Sequence, residues 1–280
     1  MESKITLALQ RLDAVIQEHK PIAVFGLFSG GHDSFSATYV ASQHPAFTAA
    51  VHINTGIGVA ATREYVRQTC ADRGWKLLEY AAAENVNAKG ESDPQIYAEL
   101  VRKEGFPGPH GHGMMYARLK ERQLRRLQRD FGASGRRGKE RRVLYVSGCR
   151  SQESERRMAN TDELQIDGPR IWAAPIHDWS KLDTTNCLEF ADQPRNPVVD
   201  AIHKSGECLC GAFAKKGELE ELAFWPITRD AYLEIKVLEC EVAPIHGRGW
   251  GERPQRGGKR QMRIPGMLCW SCDKFEEPAV

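Results

Sequence analysis

IAVFGLFSGGHDS, residues 22–34, begins as an apolar run rich in strand formers, turns on Ser29, Gly30 and Gly31, and opens a helix at His32, Asp33 and Ser34. A strand, a two-glycine turn and a helix start make a cradle for phosphate. The glycines let backbone N–H groups approach an anion closely, and the helix N-terminus adds the positive end of its dipole. The hydroxyls of Ser29 and Ser34 can donate to the same oxygens, and Asp33 can cap the helix or position a cation. No Gly-Lys-Ser/Thr follows, so this is not the phosphate loop of kinases and GTPases. The plain alternative is an ordinary strand-to-helix turn with a polar cap.

Working outward, strands alternate with helices. Ile5, Leu9, Leu12 and Ile16 share one helical face, which predicts an amphipathic helix over Ser3 to His19 that serves packing. Beyond the glycine turn the pattern predicts helix to Ser42, a strand over Ala49 to Ile53, helix over Thr62 to Trp75 and a strand over Leu77 to Tyr80. Such alternation indicates an α/β fold with a doubly wound, mostly parallel sheet. Asn54, Thr55 and Gly56 then fall at the carboxyl edge of that sheet, where open α/β sheets bind ligands.

The chain has 280 residues, of which 41% are hydrophobic and 27% charged, with a net charge of +2; it can bury a normal core, and its overall charge excludes no class of partner. No run approaches a membrane span and the start carries no signal-peptide core, so the expected location is the cytoplasm, with no membrane partner. In that compartment eight cysteines suit a metal or sulfur-transfer role better than disulfides.

After a helix expected over Asp93 to Lys103 comes a loop, Phe106 to Gly113, whose His110 and His112 admit a weak metal reading or a solvent-facing one. Met114 to Phe131 is expected to be one long helix carrying Arg118, Lys120, Arg122, Arg125, Arg126 and Arg129, followed by Arg136, Arg137, Lys139, Arg141 and Arg142. Only Glu121, Asp130 and Glu140 offset these cations within the segment. A solvated basic face is one reading, a polyanionic partner the other.

The next strand, Val143 to Ser147, empties into Gly148-Cys149-Arg150-Ser151-Gln152-Glu153-Ser154-Glu155-Arg156-Arg157. An arginine at a strand end binds phosphate or sulfate bidentately. Glu153 can hold that arginine or cap a helix, and Arg157, one turn on, can face the same site. A charged helix start with local ion pairs is the alternative. Cys149 is a sulfur carrier or a small buried residue.

The two stretches together resemble the signatures of the PP-loop ATP pyrophosphatases and the PAPS reductase family, Ser-Gly-Gly-x-Asp-Ser and Gly-x-Arg-x-x-Glu-Ser-x-x-Arg. The resemblance covers the sheet half of the chain and implies an adenine nucleotide alpha hydrolase-like fold. It implies nucleotide-binding roles for Ser29, Gly30, Gly31, His32, Asp33, Ser34, Asn54, Thr55, Gly56 and Gly148, and catalytic roles for Asp33, Ser34, Arg150, Glu153 and Arg157. Relatives carry Asp-Thr-Gly where Asn54-Thr55-Gly56 stands. Ile171 to Ile176 resembles the family's last sheet strand, and helix is expected over Asp183 to Phe190. The nucleotide-binding α/β domain is expected over residues 1–195, with a cysteine-bearing extension of helices and loops, 196–280, packed on it.

In the extension, Cys208 and Cys210 pair in one motif, and Cys269 and Cys272 in another. Two distant thiol pairs have the arithmetic of one tetrahedral or cubane metal site, open to zinc or a [4Fe–4S] cluster; the resemblance tilts the choice to iron–sulfur. Trp225 to Cys240 is expected to be helix. Gly247 to Arg263 reads as a basic loop, a solvated linker or one tethered near the site for a large anionic acceptor.

Among the family's branches the chain looks most like the ATP pyrophosphatases of DNA phosphorothioation. That likeness implies ATP and Mg²⁺ as cofactors, DNA as acceptor, a cysteine desulfurase or other sulfur donor, and further subunits of a modification system. The second expectation is thiol-dependent reduction of PAPS or adenylyl sulfate. Its Glu-Cys-Gly-Leu-His tail is missing here, where the chain ends Cys272-Asp-Lys-Phe-Glu-Glu-Pro-Ala-Val280. The third is a non-catalytic nucleotide-binding subunit of a nucleic-acid assembly.

Overall fold

The computed structural model describes residues 1–85, 95–136, 140–151, 162–215 and 217–252. Its centre is a six-stranded sheet of order β3-β2-β1-β4-β6-β5, made of β1 (Ala23–Leu27), β2 (Phe47–Asn54), β3 (Leu77–Ala81), β4 (Val143–Val146), β5 (Leu164–Asp167) and β6 (Arg170–Ala173). All neighbours run parallel except β5, which pairs antiparallel with β6. The expected α/β class and mostly parallel sheet are therefore observed.

Period-2 alternation along the central strands divides the core into two layers. Val24, Leu144, Val146, Ile171 and Ala173 face one side, against α1 (Glu2–His19) and α2 (His32–Ser42). Ala23, Phe25, Val143, Tyr145 and Trp172 face the other, against Leu124 and Leu127. A strand covered on both faces is apolar throughout, which is why residues 22–28 read as an unbroken run.

A third cluster lies beyond the carboxyl edge. It joins Ile57 and Val59 to α4 (Ile96–Glu104), α8 (Pro197–Ile202), α9 (Glu218–Phe224) and α10 (Arg229–His246) through Tyr97, Val101, Val198, Leu209, Leu222, Ile235, Leu238 and Trp250. Residues on both sides of the expected 195/196 boundary thus share one core. Two more helices, α3 (Ala60–Asp72) and α7 (Lys181–Phe190), complete the sheet's flanks. No helix among the described residues is long and apolar enough to cross a membrane.

The structure departs from the sequence pattern in several places: α9 was not expected, the helix expected over Trp225 to Cys240 runs from Arg229 to His246, and two departures concern the basic helix and the sheet edge. The long basic helix starts earlier and is not uniform: α5 (His112–Tyr116) and α6 (Arg122–Asp130) flank a π-helical segment, Ala117–Glu121. Strand β5 was not foreseen. It is short and half-exposed, and it reaches the sheet through a two-residue turn whose first residue, Gly168, has the positive φ of 53° that such hairpin turns require.

Phe35 is fully buried where α2 meets the sheet, within ring contact of Phe28, Tyr39 and Trp75. Phe35→Ala is expected to lower the unfolding free energy by about 3–5 kcal/mol. Urea melts should show this as a lower midpoint at unchanged slope.

Candidate nucleotide site

The carboxyl ends of β1 and β4 lie side by side, and the site is built where they meet. After β1 the chain turns at Gly30, whose φ of 83° is costly for any residue with a Cβ, and enters α2. The N–H groups of Ser29 and Gly31, each at 3.2 Å, and the Ser29 hydroxyl, at 3.1 Å, converge on Ser34 Oγ. The Ser34 hydroxyl in turn donates to Gly31 O at 2.9 Å. These donors are taken up here by the chain's own Ser34 Oγ; beside a helix N-terminus they are the groups that an anion's oxygen would engage in its place.

The second signature locks onto the first. A Cβ on Gly148 would sit 2.5 Å from the Asp33 carbonyl carbon and 2.7 Å from Ser34 N, so only glycine lets β4 end against the start of α2. Two residues on, Arg150 Nη2 donates to Asp33 Oδ2 at 3.0 Å, while Nε lies 3.0 Å from Oδ1, out of line for a hydrogen bond. Arg150 is 7% exposed, and its Nη1 also donates to Trp179 O at 3.4 Å. The residue that holds Arg150 is thus Asp33; Gln152, Glu153 and Arg157 lie outside the described residues. His32 is buried, which together with the charge of Arg195 pulls its imidazole below the ordinary pKa.

At the end of β2, Asn54 Oδ1 accepts from Gly56 N at 3.1 Å and Nδ2 donates to Glu79 at 3.2 Å. Thr55 is buried and donates to Glu207 O at 3.0 Å. These side chains shape the turn and tie it to the segment that carries the cysteines. The same segment approaches Gly58 so closely that a Cβ there would meet Glu207 O at 2.3 Å.

Sequence reasoning missed the residue that braces the glycine turn. Asn196, fully buried, donates from Nδ2 to Gly30 O at 2.9 Å, and its Oδ1 caps Val198 N at 2.9 Å. Asn-Pro is a helix-start signal and stands at the beginning of α8, but nothing in the local pattern says that the amide reaches back to residue 30. Thr62, Glu207 and Lys120 were also missed as parts of this wall. Thr62 Oγ1 donates to Ser205 O, and Lys120 Nζ to Glu207 Oε2 at 2.9 Å.

Cys208 and Cys210 sit beside that ion pair. Their shared hydrogen bond pulls one thiol, Cys210, down and pushes Cys208 up, and the Lys120 ammonium favours the thiolate of both. Cys269 and Cys272 lie outside the described residues, and among the described residues no three His, Cys, Asp or Glu side chains cluster as metal ligands. His110 and His112 therefore belong to no such group; the His112 ring lies 4.5 Å from that of Phe213.

The basic run is less free than its composition suggests. Arg125 pairs with Glu121 and Arg126 with Glu84. Arg248 is turned to the backbone, donating to Phe106 O at 2.9 Å and Glu104 O at 3.1 Å. Arg137, Lys139 and the remaining cations of the 247–263 loop lie outside the described residues.

The family described as phosphoadenosine phosphosulfate reductase domain matches residues 23–209. Among solved structures, the chain is similar to the phosphate complex of phosphoadenylyl-sulfate (PAPS) reductase from Candida auris. That likeness has 15% identity and a TM-score of 0.48, and covers 69% of this chain and 83% of that one. No curated protein matches.

Gly148→Ala forces the strand end off α2, an overpacking that costs about 1–3 kcal/mol. The expected outcome is a lower melting temperature together with loss of adenine-nucleotide affinity in calorimetric titration; unchanged values of both would show that the two signatures do not depend on each other.

Proposed function

Because the chain belongs to the phosphoadenosine phosphosulfate reductase domain family, we propose that it is an ATP pyrophosphatase that adenylates an acceptor oxygen for replacement by sulfur, with a DNA phosphate as the acceptor. The reading is carried by the junction of the glycine turn with Arg150 and Gly148, which gathers converging N–H donors, a helix N-terminus and a buried guanidinium at one place. In the proposed reaction the acceptor oxygen attacks the α-phosphorus of ATP. The bond from that phosphorus to the bridging oxygen of the β-phosphate breaks, and pyrophosphate leaves with the electron pair. A sulfur nucleophile from a desulfurase or similar donor then displaces AMP. Ser29, Gly31 and Ser34 orient the phosphates. Arg150 is set to offset the charge that builds on the leaving pyrophosphate, with Asp33 holding its guanidinium in register.

The cofactors are tested by the residues present. Both Asp33 oxygens face Arg150, and among the described residues no three His, Cys, Asp or Glu side chains cluster to hold Mg²⁺. Cys208 and Cys210 fit one half of a four-thiolate site: they are adjacent, largely buried and next to an ammonium. Trp250 donates from its indole to Leu209 O at 2.8 Å, so the chain leaves toward residues 253–280 from beside the cysteine pair. A [4Fe–4S] cluster or zinc held with Cys269 and Cys272 would supply an anchor for the C-terminal segment.

The family's own description favours a second reading, reduction of PAPS by a thiol. It needs a cysteine free to reach the sulfonate. Cys240, in the nearest match to the usual Glu-Cys pair, is exposed in the middle of α10, and its neighbour Glu239 accepts from Trp250 N at 2.8 Å.

Anaerobically purified protein is expected to convert ATP to AMP and pyrophosphate. Ser29→Ala and Asp33→Ala should each lower turnover by about 10²-fold or more while circular dichroism is unchanged; release of ADP and phosphate, or of sulfite from PAPS, would sink the assignment. The same preparation is expected to be brown, with iron and sulfide lost in the Cys208→Ala variant. Colourless protein with stoichiometric zinc would replace the cluster by a structural site.

A further inference from the structure

The cations of the helical run 112–130 are unevenly matched. Lys120, Arg125 and Arg126 are each bonded to a carboxylate, and Arg126 also lies 5.2 Å over the ring of Tyr80. Arg118 and Arg122 are exposed and have no carboxylate partner among the described residues. They stand four positions apart, where the π-helical segment gives way to α6, a spacing at which like charges repel. Partial desolvation of its guanidinium and the charge of Arg118 both depress the Arg122 pKa, which fits two guanidiniums crowded together.

Helix α4 supplies the facing wall. Ile96, Glu99, Leu100, Arg102 and Lys103 enclose, with Arg118 and Arg122, an open groove of about 540 Å³. The single carboxylate there, Glu99, is bonded to Arg102, which is bonded also to Glu241. Among the described residues, the only ion contact of Lys103 is its chain neighbour Glu104, at 3.3 Å on the surface. The groove thus carries three cations beyond what its own carboxylate and Arg102 neutralise, set around the apolar side chains of Ile96 and Leu100.

We propose that this groove binds the phosphodiester backbone of a DNA strand and so docks the acceptor beside the nucleotide site. The choice of DNA rests on the ATP pyrophosphatase reading above. Guanidiniums grip phosphate oxygens bidentately, and bridging phosphates would relieve the repulsion between Arg118 and Arg122. A groove of this volume exceeds a lone phosphate, and its apolar lining suits the sugar faces between phosphates. Ile96 and Arg102 also line an adjoining cavity of about 290 Å³ that reaches Gly56 at the carboxyl end of β2, so the groove opens on the edge of the sheet that holds the cradle. Glu234 and Glu241 line that cavity, so phosphate contacts end at Arg102.

The test is fluorescence anisotropy with a labelled duplex 20-mer over a series of salt concentrations. Each phosphate contact on duplex DNA contributes about 0.9 to the slope of log affinity against log salt. Arg118→Gln/Arg122→Gln should weaken binding and flatten the slope by about 1.8, and Lys103→Gln, on the opposite wall, by about 0.9. Arg129→Gln, off the groove, should change neither, and calorimetric ATP affinity should be the same in all variants. Groove variants that keep the wild-type affinity and slope overturn the proposal, even where pyrophosphate is released from ATP. Tighter binding of the equivalent RNA overturns the choice of DNA. Sulfite from PAPS with no pyrophosphate from ATP, while DNA binding still depends on Arg118 and Arg122, overturns the enzymatic reading and leaves the groove standing.

Discussion

The site depends on how closely one strand end can approach one helix start. Strands β1 and β4 are parallel neighbours, so their carboxyl ends emerge on the same edge. The loop after β4 can touch the first turn of α2 only because residue 148 has no side chain. That contact puts Arg150 within reach of Asp33 and buries the guanidinium. Breaking a buried pair on one side leaves an uncompensated charge and costs about 3–5 kcal/mol, so the two residues hold each other's position.

The cradle is braced from its far side by chain that arrives much later. Asn196 fixes the carbonyl of Gly30, Thr62 and Thr55 fix the backbone of residues 205 and 207, and Val59 N bonds to Gly206 O at 2.8 Å. Lys120 adds an ion pair to the same segment from the π-helical turn. A π-turn inserts an extra residue into the helical spiral, so side chains after it point in new directions. Here the interrupted helix gives Lys120 to Glu207 and Glu121 to Arg170, and leaves Arg118 and Arg122 to the groove. One local irregularity thereby serves the wall of the site and the charge of the surface.

That sorting changes what the basic composition means. Eleven cations in one stretch suggest a broad polyanion-binding face, yet a residue's charge is available only when no carboxylate lies opposite it. Arg125 and Arg126 are answered by Glu121 and Glu84, and Arg248 by two backbone carbonyls. Among the described residues, the cations with no carboxylate opposite them include Arg118 and Arg122, which line the groove between two helices.

The sheet strands, the glycine turn and the second signature were legible in the sequence because each has a local cause. Buried parallel strands must be apolar on both faces, Gly30 must adopt a positive φ, and a helix opening at His32 needs residues such as Asp33 and Ser34 at its first turn. The sequence by itself therefore determined the class of the fold and the place of the glycine turn between β1 and α2. Only the tertiary structure decided that Asp33 holds Arg150, that Asn196 supports Gly30, that β5 pairs at the edge, and which arginines lack partners. Those are pairings between residues more than a hundred positions apart, or between half-exposed segments with no periodic signature. The sequence carries the donors and acceptors for them, but which ones meet is set by where the crossovers return each strand end.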